Sequence, residues 1–331
     1  MFKKLIQLGY ICLLLAAFNS CSAVRSTINA AGSNIDALLS EPRKIENKIT
    51  VPYAPEARLA VLWVGHATVL IQIDDKFIMT DPNMMNTVGQ FSKRLVEPGI
   101  DAEHIPDLDA VLISHLHIDH LSPASLDIIE SKIHHLFIPQ GGMVYIPDFS
   151  FPMDELKTWE IWESDGLRIT AVPAVHNGWR YGLDDAWMKT SFTGYVITYN
   201  GITVHFAGDT AYDPELFHEI GRQFPDIDLT LVPVSPIHPR EYSKVRHTDP
   251  IEAIQIYQDL NARFLTPIHF DTFPESADTL GEAGSILQEE MSRRYLTDKQ
   301  VVILTQGQRY VYIRYEPTIV KSKQGAESKK Q

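Results

Sequence analysis

The chain has 331 residues, 44% of them hydrophobic, enough to bury a large core as one big domain or two fused halves. Its formal net charge of -13 argues against nonspecific nucleic-acid binding, which needs a basic surface. It also disfavours a purely electrostatic attachment to anionic lipid.

Residues 1–20 read as an export signal. Lys3 and Lys4 precede an apolar run over 5–18 that is too short to span a bilayer comfortably. Ser20 directly before Cys21 resembles a lipoprotein processing site, with Phe18 where a Leu is usual. Cys21 is then the expected lipidated first residue of a bacterial envelope protein on the periplasmic or outer-membrane face. A plain secretory signal and a short uncleaved anchor are the alternatives. Cys12 lies inside the signal, so the processed chain has no thiol pair for a disulfide. Residues 21–56 are polar and carry Pro42, Pro52 and Pro55. They read as a tether, with a short helix around 35–39. Residues 319–331 read as a disordered tail, leaving 57–318 as the folded domain.

Strands are expected over 59–64, 69–73 and 76–80. The first two join through Gly65-His66-Ala67-Thr68, and the third ends at Asp81-Pro82. Asp81 reads either as a carboxylate that orients a ligand histidine or as an ordinary turn residue. The loop over 83–104 carries Met84, Met85, Phe91, Lys93 and Arg94. Loops of that length are unusual unless functional. A short buried strand over 111–114 then leads into His115, His117, Asp119 and His120. In an extended segment His115 and His117 point to the same side, so one cation can take both. Asp119 and His120 fall past the strand end and can reach a second cation. Histidine with carboxylate suits zinc first, then manganese or iron.

Ser122-Pro123 should cap a helix running to about residue 132. A strand over 134–138 follows, with His134 and His135 facing opposite ways as surface or structural groups. Segments 156–162 and 167–173 read as a β pair around Ser164-Asp165-Gly166, and the second delivers His176. Segments 194–199 and 202–206 form a hairpin at Asn200-Gly201 that ends in Asp209. Asp213-Pro214 opens a helix, 229–234 is a strand, and Asp249-Pro250 with Glu252 opens another helix. A strand over 263–267 ends at His269. A helix over 277–295 and closing strands over 301–305 and 309–315 complete the chain. Strands and helices alternate by blocks, which suits two packed sheets with helices outside.

HxHxDH after a hydrophobic strand resembles the signature of the metallo-β-lactamase superfamily. The flanks narrow the likeness. Trp63 through Leu70, Lys93-Arg94, Val172-Pro173-Ala174, His247-Thr248-Asp249-Pro250 and Ile268-His269-Phe270 are similar to N-acylphosphatidylethanolamine-hydrolysing phospholipase D and its bacterial relatives. Asn177-Gly178-Trp179 and Phe270-Asp271 depart from that pattern. The resemblance implies an α/β (α+β) fold, an αββα sandwich of two pseudo-repeated halves with the site at one edge. It assigns His115, His117 and His176 to one metal, Asp119, His120 and His269 to the other, and Asp209 as the bridge. It implies two Zn2+ ions, with Mn2+ or Fe2+ as alternatives. A bridging Asp fits the superfamily's phosphodiesterases, lactonases and thioesterases better than its zinc β-lactamases.

Asp119, within the metal set, and His247, outside it, are the catalytic candidates. A metal-bound water, or His247 as imidazolium, is the expected proton donor to a leaving alkoxide. His66, Met84, Met85 and Trp179 are the substrate-binding candidates, with Phe91, Tyr181, Trp187 and Met188 on the same rim. His238 is a further pocket candidate. The expected function is a dinuclear zinc phosphodiesterase acting on a phospholipid at a membrane. A lactonase or other ester hydrolase, and a non-catalytic envelope binding protein, are the alternatives.

Overall fold

The computed structural model describes residues 35, 37–89, 92–182, 184, 189–274 and 276–316. The expected signal, Cys21, Phe91, Trp187, Met188 and the tail over 319–331 lie outside the described residues.

β1 (Ala57–Gly65), β2 (Thr68–Ile73) and β3 (Lys76–Thr80) form an antiparallel meander. A small ribbon, β4 (Thr87–Val88) and β5 (Ser92–Lys93), lies in the loop that follows. β6 (Ala110–Leu112), β7 (Leu136–Pro139) and β8 (Met153–Leu156) add in parallel. In the second half, β9 (Ile161–Ser164), β10 (Leu167–Val172), β11 (Gly194–Tyr199) and β12 (Ile202–Phe206) run antiparallel. β13 (Leu229–Pro233) and β14 (Phe264–Ile268) extend them in parallel. β15 (Arg309–Arg314) returns to the first sheet beside β1. The sheet orders are β15-β1-β2-β3-β6-β7-β8 and β14-β13-β12-β11-β10-β9. Each half therefore repeats an antiparallel block followed by parallel strands.

Both faces of the central strands are covered, which is why β1 and β2 read as near-continuous apolar runs. Val61, Trp63, Ile71 and Phe137 of the first sheet meet Ile169, Tyr195, Val204 and Phe206 of the second in one core. Leu62, Val64, Leu70 and Val111 face the other way, onto Leu126 and Ile129 of α1 (Pro123–Ile129). The far side of the second sheet is covered by α2 (Pro214–Gln223), and, after the short α3 (Arg240–Ser243), by α4 (Pro250–Asp259) and α5 (Glu282–Arg293). The result is the expected αββα sandwich.

Trp63 is 1% exposed, stacks on Phe270 at 4.7 Å, and donates its indole N–H to the His66 carbonyl at 2.9 Å. Trp63→Ala is expected to lower unfolding free energy by about 3–5 kcal/mol, the usual range for a buried aromatic. Chemical denaturation measures it; a loss well under about 1 kcal/mol would contradict that packing role.

Four expectations change. Segment 156–162 is not one strand: Leu156 ends β8 in one sheet and Ile161 starts β9 in the other. Between them a turn is closed by Glu160, whose amide donates to the Lys157 carbonyl at 2.8 Å. The helix expected over 277–295 starts only at Glu282, because Gly281 before it is left-handed at φ 79. In place of a strand over 301–305 there is a single bridge from Val301 to Leu265. The tether is shorter than 21–56, because its last part lies on the domain. Arg43 bridges Val96, and Ala54 exchanges hydrogen bonds with the Gln72 side chain at 2.8 and 3.0 Å.

Candidate metal centre

Each sequence-predicted donor leaves the end of a strand at the same edge of the sandwich. His115 follows β6, His176 follows β10, Asp209 follows β12 and His269 follows β14. Gly208 lets Asp209 approach: its φ is +60, and a Cβ there would stand 2.6 Å from Ser114 Cβ. Thr210 ties this loop to the His176 segment, its hydroxyl accepting from the Val175 amide at 3.0 Å. The His269 amide donates to the His66 carbonyl at 3.0 Å.

Among the described residues the donor atoms converge in four overlapping groups, two of which share Asp209, with His115 and His120 in one and His176 and His247 in the other. Of the two without Asp209, His115, His117 and His176 form the first; His120, Asp119 and His269, joined by His66, form the second. His117 Nδ1 lies 2.8 Å from His115 Nε2 and 3.4 Å from His176 Nε2. His120 Nε2 lies 3.3 Å from Asp119 Oδ2 and 3.2 Å from His269 Nε2. Asp209 stands between the groups: Oδ2 is 3.4 Å from His120, 3.9 Å from His176 and 4.0 Å from His115, and Oδ1 is 3.3 Å from His269. A tetrahedral zinc with bonds of about 2.0–2.1 Å sets its ligands about 3.3–3.4 Å apart. Most of these spacings match that edge.

The electrostatics also fit a cation. Burial holds His115 and His176 well below, and His117 below, the ordinary imidazole range, so they are neutral with lone pairs available. Burial alone would raise the Asp209 and Asp119 carboxyls, yet His269 and His120 around Asp209, and His120 beside Asp119, hold both well below their usual range. Burial would likewise lower His120, but Asp209, Asp119 and Asp81 together raise it well above normal. Positive charge is therefore stabilised where these atoms meet. Asp209 Oδ1 is buried there and faces His269 Nε2 at 3.3 Å.

A surrounding layer fixes the donors. Asp81, fully buried, accepts from the Ser114 amide at 2.7 Å and hydroxyl at 2.6 Å, and its Oδ2 is 2.7 Å from His120 Nδ1. It orients a donor histidine, the first of its two readings. His66 was expected to line the pocket. It is instead 1% exposed, with Nε2 3.1 Å from Asp119 Oδ2 and its ring 3.9 Å from that of His269. Its ring is turned inward, to Asp119 and His269. Met84 is half-buried against the α1 core cluster, and the Met85 carbonyl accepts from Arg94 Nε at 2.8 Å. Met84 therefore packs on that cluster, and the Met85 backbone ties the loop to Arg94. Trp179 does stand at the centre, its ring edge-on to His117 at 4.8 Å. His238 turns away to Glu282 at 2.7 Å.

His247 reaches the centre, with Nδ1 3.5 Å from Asp209 Oδ2. Burial lowers its pKa to about 4, which disfavours the imidazolium form. Two residues were missed. With its amide turned to satisfy both ends, Asn177 donates to His117 Nε2 at 3.0 Å and accepts from Trp179 Nε1 at 2.9 Å and Arg246 Nε at 3.1 Å; this places the proton of a neutral His117 on Nδ1, so a cation taken at Nδ1 would require the other tautomer. The Arg246 carbonyl faces His176 Nδ1 at 2.9 Å. The departure at Asn177-Gly178-Trp179 was the one available signal.

Two packed mixed sheets with His/Asp clusters at their strand ends define a metal-dependent hydrolase. Residues 77–270 match the family model described as the beta-lactamase superfamily domain, and the chain belongs to that superfamily. It is similar to N-acyl-phosphatidylethanolamine-hydrolyzing phospholipase D 1 of Caenorhabditis elegans, 29% identical over 289 residues, covering 82% of this chain and 81% of the relative. It is also similar to a UPF0173 metal-dependent hydrolase of Methanoculleus marisnigri, 26% identical over 204 residues, covering 60% and 83%. Among solved structures, Igni18, a metallo hydrolase from Ignicoccus hospitalis, shares the fold with a TM-score of 0.56 at 20% identity, covering 76% and 97%.

Proposed function

We propose that this protein is a dinuclear metallophosphodiesterase, loaded with zinc and acting on a phospholipid. The observation that carries it is Asp209, whose carboxylate lies within 4.0 Å of donors from both histidine groups. His115, His117 and His176 would hold one ion, Asp119, His120 and His269 the other, and Asp209 would touch both. The phosphodiester class is favoured by the likeness to the nematode phospholipase D, which extends over most of both chains.

When bound, two such ions supply Lewis acidity toward a phosphoryl oxygen and lower the pKa of water to near neutral. The protein's own groups do the rest. Asp81 holds the Nδ1 side of His120, which leaves Nε2 facing the cluster. His66 holds Asp119 in place. His247, next to Asp209 and with its charged form disfavoured by burial, would be placed to move a proton at the centre. Lipidation at Cys21 belongs to the same proposal: it would keep the domain at an envelope membrane, where the substrate is.

The test is metal content and activity on purified protein lacking residues 1–20. Elemental analysis should return close to two transition-metal ions per chain, and removal of the ions by a chelator should abolish hydrolysis of a phospholipid. One ion or none after metal-replete preparation would sink the dinuclear centre. Hydrolysis of lactones but of no phosphodiester would move the protein to the ester-hydrolase alternative.

A further inference from the structure

We propose that Arg246 forms an anion subsite at the mouth of the centre, selecting phosphodiesters that carry a second negative group a few bonds from the one that is cleaved. The inference rests on the phosphodiesterase reading for its substrate class.

Arg246 is exposed, in the loop between α3 and α4 that also brings in His247. Its backbone is fixed: its amide donates to the Ser243 carbonyl at 2.9 Å, and its own carbonyl faces His176 Nδ1 at 2.9 Å. One end of the side chain is fixed too, by Nε donating to Asn177 at 3.1 Å. Among the described residues no carboxylate pairs with this guanidinium. Arg240, the first residue of α3, is by contrast held by Asp249 at 3.1 Å and by Glu252. An exposed arginine held at Nε, with no carboxylate partner among the described residues, is a ready fork for a carboxylate or phosphate.

Its place argues against the scissile group itself. His117 turns Nδ1 to the donor cluster and Nε2 to Asn177. Arg246 lies beyond Asn177, past the outer edge of that ring. A ligand group it takes is therefore separated from the reacting atoms by part of the substrate. Trp179, bonded to the same Asn177 and edge-on to His117, supplies an apolar wall beside the path.

Phosphatidylserine and phosphatidylethanolamine differ by one carboxylate, and so do the soluble glycerophosphoserine and glycerophosphoethanolamine. Wild-type enzyme is expected to favour the serine lipid by about tenfold in kcat/KM, chiefly through KM, the scale of one partly exposed charge-assisted hydrogen bond. Arg246→Gln should bring the ratio near one, and Arg246→Lys should keep part of it, since a point charge lacks the fork. Equilibrium titration of the two soluble compounds should show the same order on the same proteins. The proposal is overturned if wild type shows no preference, or if Arg246→Gln leaves the preference unchanged. Equal loss on both lipids would also overturn it, because Arg246 would then serve only to place His176 and Asn177. If neither lipid is hydrolysed, the phosphodiesterase reading falls, and the titrations decide the subsite alone. Tighter glycerophosphoserine binding that disappears in Arg246→Gln upholds it; equal binding removes it.

Discussion

Asp209→Asn is expected to leave the protein folded and to lower phosphodiester turnover by about 10²–10³-fold, the scale seen when a group that organises transition-state charge is lost. The side chain is almost fully buried, and Asn fills the same volume, so the core is not opened. What disappears is a negative charge that His269 and His120 hold ionised, at the one point within reach of both histidine groups. Two cations brought together there would repel each other with less compensation. The effect should therefore appear in metal stoichiometry and in kcat, and only modestly in the thermal midpoint measured with excess zinc. Turnover equal to wild type would show that Asp209 does not sit between two ions.

Much of this centre is legible in the sequence because its donors sit at strand ends. His115, His117, Asp119 and His120 announce themselves by local spacing. Asp209 follows a hairpin marked by Asn200-Gly201, and the structure has those two strands at the expected residues. What stays hidden is set by contacts between distant segments. His66 meets Asp119 across 53 positions, and nothing in Gly65-His66-Ala67 shows that the ring turns inward at a left-handed φ of 55. Arg246 and Asn177 meet only because two loops close over His117 and His176. Period and propensity also cannot tell which sheet a strand joins, so the passage from β8 to β9 read as one strand. Residues 43–54 look like a linker by composition. They pack through contacts that composition does not show: Arg43 bridges Val96, and Gln72, buried in β2, bonds to the Ala54 backbone and the Asp74 carbonyl.

Asp81→Asn separates the donor histidines from the group that sets their state. Asp81 only accepts: from the Ser114 amide and hydroxyl, and across 2.7 Å from His120 Nδ1. An ionised acceptor there requires the proton of a neutral His120 to sit on Nδ1, so that the lone pair of Nε2 faces Asp119, Asp209 and His269. Asn has one accepting and one donating end. With the accepting end kept on the Ser114 amide, the NH2 group faces His120 and favours the opposite tautomer, with Nε2 carrying the proton. Zinc must then displace that proton and turn the amide, which should weaken binding by about 10–100-fold. Chelator-competition titration reads this directly and independently of turnover. The metal-free variant should still fold with some loss of stability, because Asp81 is fully buried and loses a charge-assisted bond. Asp81→Ala should weaken zinc less per unit of lost stability than Asp81→Asn, since a missing partner leaves the tautomer free where the wrong partner fixes it. Unchanged zinc affinity in Asp81→Asn would mean that the strand end alone, and not the carboxylate behind it, orients His120.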